Sequence, residues 1–109
     1  MLLSWLYLAL AIATEVVGTT SMKLSEGLTR LWPTVGIFVF YGISFVFMAL
    51  AYRKIDLAVG YAIWSGAGTA SIAVIGFAWM GESMSATKVF ALALIVVGVV
   101  VLQLGGSAR

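Results

Sequence analysis

Long uncharged apolar runs alternate with short polar clusters along this chain, and the runs set its elements. The ten charged residues are Glu15, Lys23, Glu26, Arg30, Arg53, Lys54, Asp56, Glu82, Lys88 and Arg109. All but Glu15 fall in short clusters or at the end of the chain, and these mark loops. Between the clusters lie Leu31 to Tyr52, Leu57 to Gly81 and Val89 to Ala108, uncharged stretches of 22, 25 and 20 residues. Each matches the roughly 20 residues that carry a helix across a bilayer. Leu2 to Met22 is equally apolar apart from Glu15 and is followed at once by Lys23. Because lipid cannot satisfy open backbone groups, runs of this length must close their hydrogen bonds internally as helices; a barrel would need alternating strands of about ten residues. The pattern predicts an all-α fold, a single four-helix transmembrane domain over 1–109 with spans near 2–22, 31–52, 57–81 and 87–106.

Edge residues agree with these spans. Trp5, Tyr7, Trp32, Tyr52 and Trp79 lie near predicted span ends, where amphipathic rings prefer to sit. Pro33 falls in a first helical turn, where its missing N–H is tolerated. Ala9-Leu10-Ala11 and Ala11-Ile12-Ala13 each resemble a signal-peptide cleavage site. No positive residue precedes the apolar run, however, and cleavage would discard half of a span that continues to Met22. The first helix is expected to stay.

Composition narrows the class. The chain is 63% hydrophobic and 9% charged, against roughly 25% charged residues in soluble domains, and its mean hydropathy is +1.17. It reads as a multi-pass integral membrane protein whose partner is the lipid bilayer. With no Cys and no His, it lacks thiolate and imidazole ligands and the usual nucleophile and general base, so no metal, no cofactor and no enzyme activity are expected. A net charge of +2, thinly spread, makes no basic stripe, and nucleic acid is excluded as a partner.

Loop charge bears on orientation, because short-loop Lys and Arg decide which side faces the cytoplasm. Lys23, Arg30 and Lys88 face one side, and Arg53, Lys54 and Arg109 the other, three against three. Such a balance gives insertion little reason to prefer either orientation. Copies inserted both ways up can pair as an antiparallel, dual-topology homodimer, a closed two-fold arrangement.

Glu15 demands an explanation of its own. A carboxylate inside a span costs on the order of 2.5–3.5 kcal/mol on insertion scales, and such groups generally face a cavity and carry function. Its helical neighbours at spacings of three, four and seven are Leu8, Ala11, Ile12, Gly18, Thr19 and Met22, a face that is small beside the acid itself. Low dielectric disfavours a charged carboxylate, and no intramembrane Lys, Arg or His stands ready to compensate it. Glu15 therefore reads as a proton site that, once deprotonated, can hold a lipophilic cation, so that proton and cation compete. The competing structural reading is a helix-packing acid kept protonated and bonded to a group such as Thr19.

Aromatic spacing suggests the kind of cation. Tyr61 and Trp64 share one face of the third span, and Tyr41 and Ser44 one face of the second. Rings over a cation contribute roughly 0.5–2 kcal/mol and grip flat or quaternary ammonium groups without demanding hydrogen bonds. Gly66 and Gly68, just after Trp64, provide for a helix bend. Ala91, Gly98 and Gly105 recur every seven residues in the fourth span, a period suited to a dimer seam of closely paired helices.

At these residues the chain resembles a known family. The segment Glu15-Val-Val-Gly-Thr-Thr-Ser-Met-Lys-Leu-Ser-Glu-Gly-Leu-Thr-Arg-Leu-Trp-Pro33, with Gly60-Tyr-Ala-Ile-Trp-Ser-Gly-Ala-Gly68, resembles the small multidrug resistance family of bacterial inner-membrane exporters over essentially the whole chain. The resemblance implies an antiparallel homodimer that exports toxic cations in exchange for protons, with Glu15 of both subunits forming the shared site. By motif position, Trp64, Tyr61, Tyr41, Ser44, Gly18 and Thr19 would line the pocket beside Ala11, and the fourth helices would pair. Ala91 stands where the family often has glycine, which implies a slightly wider contact. Gly18 and Thr19 follow Glu-Val-Val where guanidinium exporters usually carry a bulky Trp. That resembles the quaternary ammonium and multidrug branch, with a guanidinium/proton antiporter of the same family as the alternative. A branch of paired heterodimers fits less well with the balanced loop charge. From a different class, a small oligomeric channel could use Glu15 as a pore acid.

Overall fold

The computed structural model describes residues 2–107; Arg109, one of the charges in the orientation count, lies outside them. Four helices follow in order: α1 (Leu2–Leu24), α2 (Leu31–Ala51), α3 (Leu57–Ala78) and α4 (Ala86–Ser107). The architecture of the described residues is all-α, and each helix is long and apolar enough to cross a membrane. Between Ile55 and Asp56 the chain divides into two compact units, the α1–α2 pair and the α3–α4 pair.

In the first unit α2 turns back along α1 through residues 25–30. Glu26, Gly27 and Leu28 all take left-handed backbone angles, with φ of 49°, 74° and 71°. Glycine does so freely, but the two other residues are disfavoured there by about 1–2 kcal/mol each. Ser25, only 1% exposed, offsets part of this: its hydroxyl donates to the Met22 carbonyl at 2.7 Å and accepts from the Leu28 N–H at 3.1 Å. The backbone N–H groups of Thr29 and Arg30 close onto the Ser25 carbonyl. The reversal is thus a hydrogen-bonded turn in which the exposed polar groups of one helix end are satisfied locally.

Small and slender residues bring the two helices together. Ser4, Leu8, Ala11 and Gly18 are buried on α1, and Ile37, Ser44, Met48 and Ala51 on α2. Both sets follow helical spacings of three, four and seven, so each forms one stripe. In lipid, apolar burial alone does not drive helices together; close packing and interhelical hydrogen bonds do. Both are present. The Ser44 hydroxyl, wholly buried, donates to the Ala11 carbonyl at 2.7 Å, and the Tyr7 and Phe47 rings stack with centroids 6.0 Å apart.

The second unit is more lightly packed. Gly66 lets α4 approach α3, since a Cβ there would lie 2.6 Å from Val99 Cγ2. α3 stops at Ala78 although the uncharged run continues to Gly81. Gly81 takes φ of +73°, and the Glu82 N–H turns back to the Gly76 carbonyl at 3.0 Å. α4 then starts behind Ser85, whose hydroxyl accepts the Lys88 N–H at 3.2 Å as an N-cap does. None of the residues in its spanning window is buried within the chain.

The Ser44 bond makes a measurable contribution. Ser44→Ala is expected to weaken the α1–α2 pair by about 0.6–1.7 kcal/mol, the range found for hydrogen bonds between membrane helices. Equilibrium unfolding of the purified protein in mixed detergent micelles, compared with wild type, measures it.

Candidate functional site

The first unit assembles its polar groups around Glu15, in the body of α1. One helical turn on, Thr19 Oγ1 donates to Glu15 Oε1 at 2.8 Å; the spacing of four makes this pair a consequence of helix geometry. Tyr41 of α2 reaches the same hydroxyl, with Tyr41 Oη and Thr19 Oγ1 2.6 Å apart. It can do so because Gly18 has no side chain: a Cβ there would lie 2.6 Å from Tyr41 Cδ1 and 2.8 Å from Cε1. Tyr41 Oη also lies 3.7 Å from Met22 Sδ. Glu15, Thr19, Tyr41 and Met22 thus form a continuous chain of polar contacts.

The chain can serve either charge state of the acid. With Glu15 ionised, Thr19 donates to it and Tyr41 donates to Thr19. With Glu15 protonated, donation can run the other way, from Glu15 to Thr19 to Tyr41 and on to the weak acceptor sulfur of Met22. A hydroxyl offers one proton and two lone pairs, so each of the two intermediates accommodates both directions. The second carboxylate oxygen, Oε2, is buried and has no hydrogen-bond partner among the described residues. The bond to Thr19 that a packing acid would need is present, and the unpartnered Oε2 is a buried polar group of the kind that is costly to leave unsatisfied.

Ser44 and Ala11 sit behind this group and are engaged with one another. Both are at 0% exposure, so they act here as the backing that sets α1 against α2. In the second unit, Tyr61 and Trp64 lie on one face of α3 with ring centroids 5.5 Å apart and planes inclined by 60°. Tyr61 is 58% exposed, whereas the Trp64 indole N–H is buried and unpartnered among the described residues. α3 runs unbroken through Gly66 and Gly68, both buried, and Gly66 serves the contact with Val99. On α4, Ala91, Gly98 and Gly105 are all exposed, and Gly98 and Gly105 face open space.

In the sequence Tyr41 stands as an aromatic on a shared face with Ser44 and, by the family resemblance, as a pocket residue. Its hydroxyl contact with Thr19 depends on how closely α2 approaches Gly18, which helical spacing cannot report. Met22 was legible as a neighbour of Glu15, but nothing in the spacing indicated that it would meet Tyr41.

Four helices long and apolar enough to cross a membrane, one of them carrying a carboxylate in its body, define a multi-pass membrane protein. The family model described as Small Multidrug Resistance protein matches residues 3–95, and the chain belongs to that family. It is 50% identical over 98 residues to the multidrug resistance protein EbrB of Bacillus subtilis (strain 168), covering 90% of this chain and 84% of that one. It is 48% identical over 104 residues to the multidrug resistance protein Mmr of Mycobacterium tuberculosis (strain ATCC 25618 / H37Rv), covering 94% and 97%. To the quaternary ammonium compound-resistance protein QacE of Escherichia coli it is 42% identical over 104 residues, covering 95% and 94%. It is a multi-pass bacterial membrane protein.

The role of Gly18 can be checked directly. Gly18→Ala places a methyl group against the Tyr41 ring and is expected to cost about 1–3 kcal/mol, the usual price of overpacking. It should also break the Tyr41–Thr19 contact, which the loss of the hydrogen-bond shift of the Tyr41 hydroxyl in ultraviolet resonance Raman spectra would report.

Proposed function

We propose that this protein is a proton-coupled antiporter that exports lipophilic and quaternary ammonium cations, with Glu15 as the site that proton and cation share. The observation that carries this reading is the buried, unpartnered Oε2 of Glu15 within a spanning helix. A carboxylate so placed either takes a proton or holds a cation. The printed names of the relatives, multidrug and quaternary ammonium compound resistance, support the substrate class, as does the absence of a bulky Trp after Glu-Val-Val. Tyr61 and Trp64, with rings 5.5 Å apart, are the pair to which this reading assigns the aromatic contacts of the cation. Gly18, Thr19 and Tyr41 form the wall beside the acid, with Ser44 and Ala11 behind them.

The active form is an antiparallel homodimer with Glu15 from each copy. Two features support it: loop charge balanced at three against three, and an α4 whose spanning window buries nothing within its own chain, presenting Ala91, Gly98 and Gly105 as a seam. Protons from outside load the two carboxyl groups and release the drug outward. The protonated dimer then turns inward, with α3 bending at Gly66 and Gly68, loses its protons to the cytoplasm and binds the next cation. Competition at one site suffices for coupling. If two protons enter for each monovalent cation that leaves, one net charge moves inward, worth roughly 2.3 kcal/mol per 100 mV of membrane potential.

Uptake into liposomes holding the purified protein, driven only by a pH gradient, tests the proposal. A quaternary ammonium dye should accumulate in wild type and not in Glu15→Gln. Guanidinium transport without dye transport would move the protein to the guanidinium branch. Gradient-independent leak of cations would make it a channel. Trp64→Ala should lower uptake of bulky aromatic cations more than that of small ones; an unchanged substrate profile would remove Trp64 from the pocket.

A further inference from the structure

The turn from α3 to α4 borders an open cavity of about 290 Å³, lined in part by Phe77, Glu82, Ser83, Lys88 and Leu92. It lies where one membrane-crossing helix ends and the next begins, hence at a membrane surface, and apart from Ala91, a seam residue that also lines it, the transport reading makes no use of it. Glu82 folds back over the end of α3: a Cβ on Gly76 would lie 2.5 Å from its Oε1 and 2.9 Å from its Cδ. Gly76 is therefore what makes room for the carboxylate. No ion pair or side-chain hydrogen bond within the described residues satisfies that carboxylate, and it sits by the carbonyl end of a helix, which itself favours a cation.

Lys88 contributes the opposite charge to the same cavity. Its ammonium donates one hydrogen bond, to the Ser83 carbonyl at 2.7 Å, which leaves two N–H groups free. No ion pair joins it to Glu82. One cavity thus holds an acid and an ammonium that do not neutralise each other, with Phe77 and Leu92 supplying apolar wall. Its complement is a ligand with a cation, an anion and an apolar continuation, seated at a membrane surface.

We propose that this cavity seats a zwitterionic phospholipid with a primary ammonium head, its ammonium on Glu82, its phosphate on Lys88 and its first acyl carbons on Phe77 and Leu92. A primary ammonium has N–H groups to give the carboxylate, which a choline head lacks, so ethanolamine lipid is selected over choline lipid.

Native mass spectrometry of the full-length protein in detergent, titrated with phosphatidylethanolamine, phosphatidylcholine or phosphatidylglycerol, tests this. Wild type should retain the ethanolamine lipid best. Glu82→Gln should lower that retention roughly three- to fivefold, the scale of one partly exposed charge pair, and leave phosphatidylglycerol unchanged. Gly76→Ala, which favours the helix while displacing the carboxylate, should do the same with unchanged helical circular dichroism. Lys88→Gln should lower both lipids alike. Equal retention of all three lipids by wild type, or of ethanolamine lipid by wild type and Glu82→Gln, would overturn the proposal. So would displacement by soluble phosphoethanolamine at equal concentration, which would make the cavity a solute site. Crosslinking of two chains through Ser83→Cys, with no lipid retained by wild type, would assign it to a second copy instead.

Discussion

A carboxylic acid in the middle of a spanning helix must find its hydrogen bonds within the protein, and the α1–α2 unit is organised by that need. Lipid offers neither donors nor acceptors, so Glu15 depends on Thr19 one turn away and, through Thr19, on Tyr41. Tyr41 in turn depends on a missing side chain at Gly18. The arrangement stops short of full satisfaction: Oε2 has no partner among the described residues. The hydroxyls that link Glu15 to Tyr41 can donate in either direction along the chain.

The two helix pairs divide the work differently. α1 and α2 are joined by a buried Ser44 bond, by stripes of small and apolar residues and by a turn in which Ser25 satisfies neighbouring backbone groups. Such contacts hold helices in lipid, where burial of apolar surface supplies little force. α3 and α4 approach at Gly66 and Val99, and no residue of the α4 spanning window is buried within the chain. In a membrane that exposure costs little, because hydrocarbon solvates an apolar helix as well as a neighbour does. It leaves a face with Gly98 and Gly105 against which another helix can come close.

Glycine has several distinct meanings in this chain, and only coordinates separate them. Gly18 admits an aromatic ring, Gly66 a valine and Gly76 a carboxylate, while Gly27 and Gly81 supply left-handed turns. In the sequence all of them are equally permissive residues. Gly66, beside Trp64, reads there as a bend; the folded chain adds that it is the point where Val99 of α4 comes close.

The sequence by itself determined the helices, their number and the isolation of Glu15, because backbone groups in hydrocarbon must close on themselves and runs of 20 or more uncharged residues allow only one way to do so. It also carried the Glu15–Thr19 pair, since four residues along a helix are always neighbours. Tertiary structure decided the rest: that Tyr41 completes the chain from Glu15, that Ser44 is committed to the Ala11 carbonyl, and that Glu82 folds over Gly76. Each of these depends on the distance and rotation at which segments remote in the chain or across a turn meet. Helical periodicity specifies a face but neither of those quantities, which are set by how closely the side chains on both partners allow the backbones to come.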